Sequence, residues 1–85
     1  VGQLDDKVVL LSGGASGIGR ATALRLAGEG AAVVIGDVAL DGAQDVVQAI
    51  TTNGGRALAT TCDVRREESV AAFVELAIKE FGGID

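Results

Sequence analysis

The sequence predicts an α/β fold in which short buried strands alternate with amphipathic helices to build a parallel sheet. Three observations predict it. Continuous apolar runs too short for helices occupy residues 8–11 and 31–35, with a weaker run at 56–62. Between them apolar residues recur every three or four positions, and glycines stand where one periodicity gives way to the other. Strand, helix, strand, helix, strand, helix is the order that right-handed crossovers join into a parallel sheet.

Each element has its own signal. Lys7-Val8-Val9-Leu10-Leu11-Ser12 is the first strand, ended by Gly13-Gly14. Gly13, Gly14, Gly17 and Gly19 fall within seven positions, so a helix begins only near Ser16 or Gly17. Ile18, Ala21, Thr22, Leu24 and Ala27 then trace its expected core stripe, and Gly30 stops it. Ala31-Ala32-Val33-Val34-Ile35-Gly36 is the second strand, with Asp37 at its C-terminal end. Asp41 is the expected N-cap of a second helix whose Ala43, Val46, Val47 and Ile50 share one face, closed by Asn53-Gly54-Gly55. Residues 56–62 form the third strand. After Asp63-Val64 a long helix repeats Val70, Phe73, Val74, Ala77 and Phe81, with Glu75 and Lys79 as an expected i, i+4 pair outside.

Composition narrows the chemistry. The 85 residues are 48% apolar and include no His, Tyr, Trp, Met or Pro, so no histidine base, tyrosine acid or aromatic stacking platform is available. One cysteine forms no internal disulfide and, without histidine, no usual zinc set, so no metal site is expected; it fits a reducing cytoplasm. A net charge of -5 opposes nucleic acid. No apolar stretch is long enough to span a bilayer and no secretory leader is evident, so no membrane partner is expected. Val1 is not an initiator methionine and Ile84-Asp85 follows a helix stop, which predicts that the chain is a fragment.

The segment Ser12-Gly13-Gly14-Ala15-Ser16-Gly17-Ile18-Gly19 lies between a buried strand and a helix, the context of a phosphate-binding loop. Glycines let backbone approach a pyrophosphate, and the orphan N–H groups of the following helix face the anion. A triphosphate-binding Walker loop is excluded, because Arg20 and Ala21 stand where lysine and a hydroxyl residue are required. The G-x-G-x-x-G fingerprint also fails, since Thr22 replaces its third glycine.

Gly13, Gly17 and Gly19 form G-x3-G-x-G, and with Ser12 in front this loop resembles that of the short-chain dehydrogenase/reductase family. Asp37, Asp63-Val64 and Phe81-Gly82-Gly83-Ile84-Asp85 agree with the family in order and spacing, and the likeness covers the whole chain. Ser12 departs from the family's usual threonine, a mild change because both carry a hydroxyl. The resemblance implies a Rossmann-type doubly wound sheet with these strands in the order 3-2-1 of a larger sheet, and 1–85 as the N-terminal portion of one dinucleotide-binding domain, truncated before the fourth strand. It also implies an oxidoreductase that transfers hydride between NAD and an alcohol or carbonyl substrate, and a dimer or tetramer when intact.

The implied cofactor contacts are Gly13, Ser16, Gly17, Ile18 and Gly19 in the loop, Asp37 and Val38 after the second strand, and Cys62, Asp63 and Val64 after the third. Asp37 lies eighteen positions after Gly19, where a doubly wound fold brings a carboxylate to the adenosine ribose. That carboxylate opposes a 2'-phosphate: a like-charge pair at about 4 Å costs roughly 1 kcal/mol in water and about 4 at an effective dielectric of 20. Neither Ser16 nor Val38 supplies a compensating cation, so NAD is expected over NADP. By resemblance Asp63 bonds the adenine amine and Val64 covers the ring; the competing reading of Asp63 is a cap for the last helix. Cys62 reads as packing rather than a nucleophile. No catalytic residue is assigned, because the family's tyrosine, lysine, serine and asparagine have no counterpart here and Lys7 and Lys79 are misplaced. A non-catalytic nucleotide-binding module is the alternative.

Overall fold

The computed structural model describes residues 7–13 and 17–83. Six elements follow in the expected order: β1 (Val8–Ser12), α1 (Gly17–Gly28), β2 (Ala32–Asp37), α2 (Leu40–Thr52), β3 (Arg56–Thr61) and α3 (Glu67–Phe81). All pairings are parallel and the sheet order is β1-β2-β3, the 3-2-1 arrangement read from its other edge. Val9, Val33 and Ala57 lie side by side across it, as do Leu11, Ile35 and Ala59.

β2 is the central strand, and Ala32 to Gly36 are all buried. Its side chains alternate between two cores, because successive strand residues point to opposite faces. Val33 and Ile35 face α1 and α2, where Ala23, Ala43, Val46 and Ile50 meet them. Ala32 and Val34 face α3, against Phe73 and Ala77. Both faces of the sheet are therefore covered, which explains why the strands read as apolar runs rather than alternating ones. Burying aliphatic side chains such as Ile35 and Val46 contributes about 1.5–3 kcal/mol each.

Some local expectations change. The buried residue of α1 is Ala23, with Leu24, Leu26 and Ala27 packed beside it, whereas Ile18, Ala21 and Thr22 are exposed. α1 is apolar on nearly every side, so periodicity does not fix its orientation; small Ala23 lets the helix approach the sheet. Asp41 lies in the first turn of α2 and Ala39 is its N-cap. The turn is instead held by Asp37, whose Oδ1 accepts the Ala39 N–H at 2.9 Å. β3 ends at Thr61, and Cys62 follows it into the α3-side core. In α3, Val70 and Phe81 pack as expected, joined by Leu76. The ion pairs among the described residues are Arg65–Asp63 and Arg66–Glu68, so Glu75 and Lys79 do not pair.

The glycine stops behave as expected: Gly30, Gly54 and Gly82 follow the three helices with positive φ. Ile84 and Asp85, read as leading toward a further strand, lie outside the described residues. No helix among the described residues is long and apolar enough to cross a membrane.

Candidate functional site

Parallel strands all end on one side of the sheet, and a crevice forms there where the chain leaves for helices on opposite faces. α1 and α2 lie on one face and α3 on the other, so the chain leaves β2 and β3 toward opposite faces around such a crevice. It measures about 320 Å³ and is lined by Ser12 and Gly13, Gly36 to Val38, and Cys62 to Arg65.

Three glycines near it are glycine for different reasons. A Cβ at Gly36 would lie 2.7 Å from Cys62 Cβ and 2.9 Å from Phe73 Cε2, so packing excludes any side chain. Gly13 has φ +75, a left-handed conformation that side chains disfavour, and its N–H donates to the Gly36 carbonyl at 2.8 Å. Gly17 opens α1 with neither constraint: a Cβ there would meet no described atom within 4 Å. Glycine costs a helix about 0.5–1 kcal/mol relative to alanine. Neither a positive φ nor a neighbour among the described residues therefore requires glycine at Gly17.

The β2 and β3 loops form the acidic rim. Asp37 ends β2 and is tied to its neighbour through the Cys62 N–H, which donates to the Asp37 carbonyl at 3.2 Å. Val38 and Val64, each following an aspartate, are 68% and 65% exposed, an unfavourable state for two valines set around a cavity. Asp63 is held from several directions. Its N–H donates to Ser69 Oγ at 2.9 Å, and its carbonyl accepts the Arg66 N–H at 2.9 Å. Its carboxylate accepts the Arg65 N–H and Nε on Oδ1 and Nη2 on Oδ2, each at 3.0 Å. These bonds favour the charged form, and the Arg65 side chain, followed by its backbone N–H, lowers the Asp63 pKa from 3.8 to about 2.

The competing reading of Asp63 as a helix cap therefore fails: the N-cap of α3 is Arg66, without a side-chain cap bond. Cys62 is buried beneath Gly36, and its Sγ makes only a long contact, 3.9 Å, to the Ser69 carbonyl.

Of the ten residues expected at a cofactor, Gly13, Asp37, Val38, Cys62, Asp63 and Val64 line the crevice. Gly17, Ile18 and Gly19 stand in the first turn of α1 outside that lining, with Ile18 86% exposed, and Ser16 lies outside the described residues. Ser12 lines the crevice as the head of the loop motif, whereas Gly36 and Arg65 in the lining, and Ser69 behind Asp63, escaped the sequence reading as site residues. A glycine interrupting the run Val33-Val34-Ile35 was the one legible signal among them.

Comparison with known proteins decides the family. The family model described as short chain dehydrogenase matches residues 7–85. The chain belongs to that family. It is 54% identical over 80 residues to cis-4-hydroxycyclohexanecarboxylate dehydrogenase of Sinomonas cyclohexanicum, covering 94% of this chain and 32% of that protein. Cyclohexanol dehydrogenase of an Acinetobacter species is 42% identical over 82 residues, covering 96% and 33%. Among solved structures, a hydroxysteroid dehydrogenase from Escherichia coli superposes with a TM-score of 0.94 at 38% identity, over 96% of this chain and 35% of that one. A 7α-hydroxysteroid dehydrogenase complexed with NADH and 7-oxo glycochenodeoxycholic acid gives the same TM-score and identity, over 96% and 32%. The chain thus spans about a third of the length of the curated short-chain dehydrogenases it matches first. Its fold is the Rossmann-like β-α-β-α-β-α unit of these relatives.

Proposed function

We propose that this short-chain dehydrogenase chain is the NAD-binding portion of an oxidoreductase acting on an alcohol or carbonyl substrate. The observation that carries the reading is the pair of aspartates on the rim of a crevice at the carboxyl ends of β2 and β3, beside a glycine loop that leads into a helix. Its dimensions and donors suit the adenosine half of a dinucleotide. Gly13 and Gly17 keep side chains away from a pyrophosphate, and the first N–H groups of α1, which have no partner within the helix, are the donors it requires. Asp37 is the acceptor for ribose hydroxyls. Val38 and Val64 offer apolar cover to a base, which would remove both from water.

The charge of the rim supports NAD over NADP. Arg65 is the one cation among the described residues lining the crevice, and its guanidinium is engaged by Asp63. The Asp37 carboxylate opposes a 2'-phosphate by like-charge repulsion. A bound nicotinamide cofactor supplies the hydride acceptor or donor; the residues of this chain bind and orient its adenosine end. Ser16 and Ile18 belong to the same proposed contact set through the loop motif, as does Cys62 from beneath. The intact protein is proposed to be a cytoplasmic homo-oligomer, with 1–85 as part of one dinucleotide-binding domain.

The two relatives named for hydroxylated cyclohexane compounds support alicyclic secondary alcohols as the substrate class to assay. The test is formation of reduced cofactor by the full-length protein with NAD and a panel of such alcohols. Turnover with NAD exceeding that with NADP is expected. Tight NADH binding with no turnover on any alcohol or ketone would establish the non-catalytic module instead.

A further inference from the structure

We draw no further inference here: the strongest candidate, the apolar groove of about 250 Å³ between the C-terminal halves of α1 and α2, lined by Leu24, Ala27 and Ile50, carries nothing because nothing in the structure shows what covers it.

Discussion

Two loops at the same end of the sheet carry nearly the same short sequence. Asp37-Val38-Ala39 leaves β2 and Asp63-Val64-Arg65 follows β3. In both, the aspartate Oδ1 accepts the backbone N–H two residues on, at 2.9 Å from Ala39 and 3.0 Å from Arg65, and the valine between stays exposed. The difference is the third residue. Ala39 brings no side-chain donor, whereas Arg65 adds a bidentate guanidinium that fixes both carboxylate oxygens. One turn geometry thus presents two kinds of carboxylate.

The loops share a wall, and disturbing it should change both together. Gly36 precedes Asp37 and packs against Cys62, which precedes Asp63. Gly36→Ala inserts a Cβ 2.7 Å from Cys62 Cβ and 2.9 Å from Phe73, and should cost about 1–3 kcal/mol of stability, read as a lower denaturation midpoint. An unchanged midpoint would mean the loops adjust independently.

Converting the first loop into the second is the sharper experiment. Ala39→Arg should place a guanidinium beside Asp37 and raise the NADPH-to-NADH affinity ratio by roughly tenfold, because the added charge offsets one like-charge pair. A ratio that does not move would show that the third residue is not what separates the loops.

The smallest effect is a titration. Arg65 stabilises the charged form of Asp63, so the folded-state pKa is depressed. The associated stability is present above the ordinary value and is lost as pH falls through about 2. The Asp63 carboxyl carbon followed by NMR should therefore titrate near 2, and in Arg65→Ala its midpoint should rise toward 3.8. A wild-type midpoint already near 3.8 would remove the clamp from solution.

Much of this was legible in the chain. Strands buried on both faces appear as unbroken apolar runs, so Val8 to Leu11 and Ala31 to Ile35 declared a parallel sheet, and glycines marked the end of each helix. The acidic rim was legible because Asp37 and Asp63 sit at or just beyond strand ends, where the fold gathers its loops. α1 was harder, since its apolar residues are spread around the helix and its orientation comes only through packing against the sheet and α2. Arg65 and Ser69 were silent for another reason. They act on Asp63 through a loop, two and six residues on, and loop contacts follow no period.

The central claim, that the crevice reads the adenosine of NAD through Asp37, is tested most directly by titrating NADH and NADPH into the full-length protein and its Asp37→Ala variant. The account predicts NADH at least about tenfold tighter in wild type, and a variant in which NADH weakens while NADPH does not. NADPH binding as tightly as NADH in wild type, or a variant indistinguishable from it, would contradict the account.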